Sequence, residues 1–229
     1  MRTIATTLLF FTLSFAAFAE NQKLNIQVLG DSIMAWNGLS GNTVARNLAK
    51  ELDANVADRS RSGEVIGRGG NEGIFSQYRS GDWDWIVLNG GGNDFLRICK
   101  CATCDPILNR LISKDGRTGI IPNETKRLRA RGHKVLFMGY LRTNGFRSPV
   151  GKCTKYVDAL EDRVARFANQ IDDVVFMSNK DLVPTGNRSF HAFDRIHPSI
   201  KGSRAIAKGL ANVLMKSERS NSSVFSNGG

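Results

Sequence analysis

Four short runs hold the residue types that acyl transfer needs: Gly30-Asp31-Ser32-Ile33, Ser62-Gly63, Gly91-Gly92-Asn93-Asp94 and Asp194-Arg195-Ile196-His197. A serine hydroxyl is a weak nucleophile until a base takes its proton. His197 is the candidate base, and Asp194, three residues earlier, is the candidate orienter. Pro198 forces an extended or turn conformation on His197, and in a tight turn positions i and i+3 lie together. The carboxylate can then hold Nδ1 and leave Nε2 facing Ser32, which is triad logic with acid and base on one short loop. Three groups are candidate donors to an oxyanion. They are the Ser32 N–H, the Gly63 N–H, which can approach a substrate closely because glycine has no Cβ, and the Asn93 side-chain amide. Preorganised donors of this kind are typically worth about 3 kcal/mol each in the transition state. Taken singly, the runs are a helix cap, a turn glycine and a loop pair; their conjunction and order point to chemistry.

These residues need strands to carry them to one place. Leu24 to Leu29 alternates and stops at Gly30, which reads as a first strand. Asn55-Val56-Ala57 reads as a second, Trp85 to Asn89 as a third, Lys134 to Met138 as a fourth and Val174 to Met177 as a fifth. Between them lie segments of helical period: Asn42 to Leu52, Thr118 to Arg131 with Gly132 as its stop, Tyr156 to Ile171, and finally Gly202 to Met215. Alternating strands and helices predict a parallel sheet covered on both faces, and short, continuously apolar strands suit it. In such sheets ligands bind beyond the carboxyl ends of the strands. Ser32 follows the first strand, Gly63 the second and Asn93 the third, so all three are expected on one edge. His133 reads as a strand-edge residue and His191 as a loop residue.

The four runs together resemble the SGNH hydrolase superfamily, the GDSL esterases and lipases. Gly30-Asp31-Ser32-Ile33 is similar to its first block, with Ile33 for the usual leucine. Ser60-Arg61-Ser62-Gly63 is similar to the second block with its oxyanion glycine, and Gly91-Gly92-Asn93-Asp94 to the third, Gly-x-Asn-Asp, with its oxyanion asparagine. Asp194-x-x-His197 is similar to the last block. The resemblance spans roughly Leu24 to Met215. It implies a three-layer α/β/α, flavodoxin-like domain and hydrolysis of an ester or thioester through an acyl-serine, with no metal and no cofactor. It leaves the substrate open among lysophospholipids, acyl thioesters and acetylated saccharides.

The chain has 229 residues, 41% hydrophobic and 23% charged, as expected of one ordinary globular domain. Met1-Arg2-Thr3, the apolar run Ile4 to Phe18 and Ala17-Phe18-Ala19 form the pattern of a secretory signal, with the cut expected after Ala19. The run is shorter than the roughly 20 residues a membrane span needs. The expected layout is therefore a leader over 1–19, the hydrolase domain over 20–216 and a disordered polar tail over 217–229. Export, to periplasm or exterior for a bacterial chain, argues against nucleic acid as a partner. The net charge of +11 would draw the protein to anionic envelope surfaces. Cys99, Cys101, Cys104 and Cys153 are an even set in an exported chain, which favours two disulfides. Three pairings are open, and a four-thiolate zinc site is the alternative.

The pocket wall is expected from residues just after the blocks: Met34, Trp36 and Phe95 against an acyl chain or sugar, with a place in the core as the other reading of Trp36, and Arg142 against an acidic group, with a solvated loop position as its other reading. Arg97 to Arg117, which holds three of the cysteines, is expected to form a stapled flap beside the site. The substrate expectation is a short acyl ester, with acetyl groups on a polysaccharide as a candidate. A lysophospholipase or thioesterase is one alternative, and a non-catalytic polysaccharide-binding module on the same fold is the other.

Overall fold

The computed structural model describes residues 23–226 apart from 68 and 71. The expected leader and its cleavage site lie outside the described residues. Five strands, β1 (Asn25–Leu29), β2 (Asn55–Asp58), β3 (Trp85–Leu88), β4 (Lys134–Met138) and β5 (Val174–Met177), form one sheet in the order β2-β1-β3-β4-β5. Every neighbouring pair is parallel. This is the flavodoxin-like order, whose switch point lies between β1 and β3.

Side chains alternate across a strand, and the two cores divide accordingly. Leu29, Ile86, Leu88, Val135 and Phe137 face one side, packed with Leu111, Ile121, Leu160 and Phe167 of α4 (Asp105–Leu111), α5 (Ile120–Arg129) and α6 (Thr154–Ala168). Ile26, Val28, Trp85, Val87, Leu136 and Met138 face the other, against Val44, Leu48, Ile206 and Leu210 of α2 (Val44–Leu52) and α7 (Ile200–Ser226). All four residues of β3 are fully buried, as a central strand covered on both faces must be. Each large apolar side chain buried this way contributes about 1.5–3 kcal/mol.

Two short helices start at the carboxyl edge. These are α1 (Ser32–Ala35), after β1, and α3 (Gly92–Arg97), after β3. The Asp31 side chain caps α1 by accepting from the Ile33 N–H at 2.9 Å, the usual service of an aspartate at that position. The Arg97–Arg117 segment contains α4 and is pinned by the Cys99–Cys104 disulfide, while Cys101 reaches Cys153. With all four sulfurs in bridges, the zinc alternative falls. Among the described residues no cluster of His, Cys, Asp or Glu is placed to hold a metal ion.

α7 differs from expectation. It was expected to stop at Met215, with a disordered tail from Ser217, and it continues to Ser226. Glu218 on the extension accepts from the Trp85 indole N–H at 2.7 Å and the Lys134 ammonium at 2.5 Å, which gives the polar segment a reason to stay on the sheet. Among the described residues no helix is long and apolar enough to cross a membrane.

Candidate active site

The chain leaves β1 at Gly30 and turns into α1, so Ser32 occupies the first helical position. From a loop 165 residues later, His197 brings Nε2 to 2.8 Å from Ser32 Oγ. Its other nitrogen, Nδ1, lies 2.5 Å from Asp194 Oδ2. A carboxylate accepts only, so the imidazole proton belongs on Nδ1, and Nε2 offers its lone pair to the serine hydroxyl. The second carboxylate oxygen, Oδ1, accepts from the backbone N–H groups of Ile196 and His197 at 2.9 and 3.0 Å. These bonds close the tight turn expected of an i, i+3 pair, with Arg195 left-handed at φ 59°. Partial burial pushes the Asp194 carboxyl up, but the bonds from the His197 ring and the two amides outweigh it and hold the group below its ordinary value. The ionised form that orients the histidine is thereby favoured.

The loop is braced from several sides. Ala192 N–H donates to the His197 carbonyl at 2.8 Å, and His191 and Pro198 form an antiparallel bridge. The Asn37 amide, just beyond α1, donates to the Pro198 carbonyl at 3.1 Å. His191 is buried against the edge of the Phe146 ring. Its burial pushes the imidazole below the ordinary value, against a smaller upward pull from Asp194. It belongs to the frame of the loop, as His133 belongs to the base of β4, where it meets the Tyr78 hydroxyl at 2.8 Å.

Trp36 is neither core nor an open sugar platform. Its ring lies flat on His197, with centroids 3.8 Å apart and planes within 5°. Trp36 therefore covers one face of the imidazole.

The candidate oxyanion donors are tied together by their neighbours. Asn93, on the first turn of α3, donates one amide hydrogen to the Glu64 carbonyl at 2.8 Å; an amide nitrogen carries a second. Arg97 Nη1 donates to the Gly63 carbonyl at 2.6 Å, and Arg61 N–H to the Gly30 carbonyl at 3.0 Å. Asp94 accepts from the Ile66 and Gly67 N–H groups at 2.8 and 3.0 Å. Burial raises its carboxyl above the ordinary value despite these bonds. The loop after β2 is thus held to α3 on one side and to the serine turn on the other. Gly63 sits at φ 76°, a region open to glycine at little cost. Among the described residues, neither the Ser32 nor the Gly63 N–H donates to a protein acceptor.

A cavity of about 110 Å³ opens beside Ser32 and Asn93. Ile33, Leu96, Leu141, Val150, Val157 and Ile196 make its wall mainly apolar, and Cys153 and Thr154 complete one side. Of the four expected wall residues Arg142 lines this cavity, and Trp36, Met34 and Phe95 are not among its lining. Met34 and Phe95 are fully buried in the two cores. Each lies two residues beyond a site residue, about 200° round a helix of 3.6 residues per turn, so both turn inward when Ser32 and Asn93 face the cavity. Leu96, three residues after Asn93 and therefore on its face, is the residue that helical spacing should have selected. Arg142 borders the cavity but is spent within the protein. It pairs with Asp158 and Glu161 at 2.8 and 2.9 Å and donates to the Tyr140 carbonyl at 2.7 Å. Tyr140, another cavity residue, was missed because nothing in its local sequence signals a polar role.

The profile of the GDSL-like lipase/acylhydrolase family matches residues 28–205. Among solved structures, a protein assigned to the lipolytic G-D-S-L family from Desulfitobacterium hafniense is similar at TM-score 0.63 and 10% identity, over 83% of this chain and 99% of that one. A GDSL-like lipase from Bacteroides thetaiotaomicron gives 0.59 and 15%, over 84% and 88%. A carbohydrate acetylesterase from Sinorhizobium meliloti gives 0.57 and 15%, over 85% and 99%. At these identities the likeness is one of fold. Among curated proteins, none matches by sequence.

Proposed function

The chain belongs to the GDSL-like lipase/acylhydrolase family and is an ester hydrolase, and we propose that it is an exported serine esterase acting on short acyl esters through an acyl-serine. The observation that carries this reading is the Asp194–His197–Ser32 chain, at 2.5 and 2.8 Å. In the proposed reaction His197 Nε2 takes the Ser32 proton as Oγ attacks the ester carbonyl. The Ser32 and Gly63 N–H groups and the free Asn93 amide hydrogen receive the oxyanion. As the acyl C–O bond breaks, the imidazolium gives its proton to the leaving alcohol. Water, deprotonated by the same histidine, then releases the acid and restores the serine.

The apolar wall of the cavity and its volume of about 110 Å³ support a short acyl group. An acetylated saccharide, the substrate class named for the Sinorhizobium relative, fits the same machinery with the cavity part-filled. Positive charge, +11 overall, suits an anionic envelope polymer as the carrier of the ester. Export rests on the leader pattern of residues 1–19.

A fluorophosphonate probe should label the wild type and not Ser32→Ala. A panel of p-nitrophenyl esters from acetyl to palmitoyl should peak near butyryl, beside an acetylated sugar and a lysophospholipid as comparators. An unlabelled wild type would leave a binding module, and a palmitoyl or lysophospholipid optimum would overturn the short-acyl reading. N-terminal sequencing of the mature protein should begin at Glu20; a retained Met1 would remove the case for export.

A further inference from the structure

We propose that Tyr140 is a positioning residue for the ester hydrolysis: its hydroxyl fastens the Ser32 turn to the Asn93 helix. The inference rests on the serine-esterase reading above and names a part that none of the four blocks contains.

Tyr140 follows β4, one residue past Gly139, at the carboxyl edge where the site is built. Its hydroxyl donates to Asp31 Oδ2 at 2.6 Å and accepts from the Gly92 N–H at 2.9 Å. Asp31 is the cap of α1, directly before Ser32. Gly92 is the first residue of α3, directly before Asn93. One oxygen atom therefore spans the nucleophile's turn and the oxyanion helix, across the switch point between β1 and β3. The rest of Asp31 is equally committed: Oδ1 accepts from the Ile33 N–H and from the Asn89 amide at 2.9 and 3.0 Å. The phenol is built to remain a donor, because burial and the adjoining Asp31 carboxylate push it well above its ordinary value.

The same contact accounts for Gly92. A Cβ there would come 2.9 Å from Tyr140 Cζ and 3.0 Å from its hydroxyl, so the phenol can reach the Gly92 N–H only because that residue is glycine. The block pattern Gly-x-Asn-Asp leaves this position open; here the tyrosine fills the space.

Catalysis depends on the relative placement of nucleophile and oxyanion donors, and an error of about 1 Å can cost about 100-fold. Tyr140→Phe keeps the ring and deletes both bonds. Its kcat on p-nitrophenyl butyrate should fall about 10- to 100-fold with KM within about threefold, and fluorophosphonate labelling of Ser32 should slow in parallel. The control is Tyr78→Phe, which deletes the hydroxyl bond to His133 at the opposite end of β4. It should lower Tm comparably and leave kcat within about twofold below melting. All rates are taken at a temperature where both variants are folded by circular dichroism. A Tyr140→Phe kcat within twofold of wild type, or an equal fall in both variants, overturns the inference while leaving the esterase reading intact. A wild type that neither labels nor hydrolyses any ester brings down the esterase reading, and this inference with it.

Discussion

At the residue scale, Trp36 changes the account of the base. In the proposed reaction His197 takes the Ser32 proton and carries it while the acyl group transfers. An indole face 3.8 Å above it attracts the cationic form through the ring quadrupole, by about 0.5–2 kcal/mol. Such a contact strengthens between ground state and transition state, which is the condition for it to raise kcat. Trp36→Leu should therefore lower kcat about 2- to 30-fold, Trp36→Phe should lose less, and neither should move Tm far because Trp36 is only half-buried. Steady-state kinetics on p-nitrophenyl butyrate check this; an unchanged kcat in the leucine variant would reduce Trp36 to packing. That Ser32, Asp194 and His197 would meet was legible because the chemistry they suit dictates residue type and their spacing dictates order. The wall residues were less so, since nearness in sequence to Ser32 or Asn93 says nothing of which helix face a side chain takes. Met34 and Phe95 are the examples.

At the element scale, strands were easier to read than short helices. β4 and β5 fall on the expected residues because their apolar runs end sharply. α3 and α4 lie in a stretch rich in glycine and cysteine, where no face repeats often enough to show a helical period. Disulfide pairing depends on the fold, and it places Cys153 in the cavity wall. The two bridges should differ in weight. Cys101–Cys153 closes a separation of 52 residues and Cys99–Cys104 one of 5, so chain entropy assigns them about 4 and about 2 kcal/mol. The paired change Cys101→Ser with Cys153→Ser should lower Tm by roughly 8–16 °C at about 2–4 °C per kcal/mol. It should also raise KM for p-nitrophenyl butyrate several-fold below melting, because Val150 and Val157 flank Cys153 in the wall. Cys99→Ser with Cys104→Ser should cost less stability and leave KM alone. Equal kinetics in the two pairs would make the bridge surface bracing, with no part in shaping the site.

At the scale of the whole molecule, the proposed chemistry uses one edge of the sheet and leaves the other to closure. Ser32, Gly63, Asn93 and Tyr140 all follow the carboxyl ends of strands, whereas Trp85 and Lys134 begin β3 and β4 at the other end. The extension of α7 reaches that second edge through Glu218. It was illegible in the sequence because, past Met215, the chain is mostly Ser, Asn and charge. The signal rests largely on Glu218, whose partners Trp85 and Lys134 lie 133 and 84 residues away. Trp85 is fully buried, so its indole N–H needs an acceptor there. Removing one leaves a desolvated donor, at a cost of about 1–3 kcal/mol. Glu218→Ala, or truncation after Lys216, should therefore lower Tm by roughly 2–12 °C at about 2–4 °C per kcal/mol. Esterase kcat at 25 °C should stay within about twofold, because the change is made at the end of the sheet away from the serine. A melting curve and a rate on the same samples decide it. If Tm is unmoved, the tail is an ornament; if kcat falls while the fold persists, the two edges are coupled through the sheet and the division of labour proposed for them is wrong.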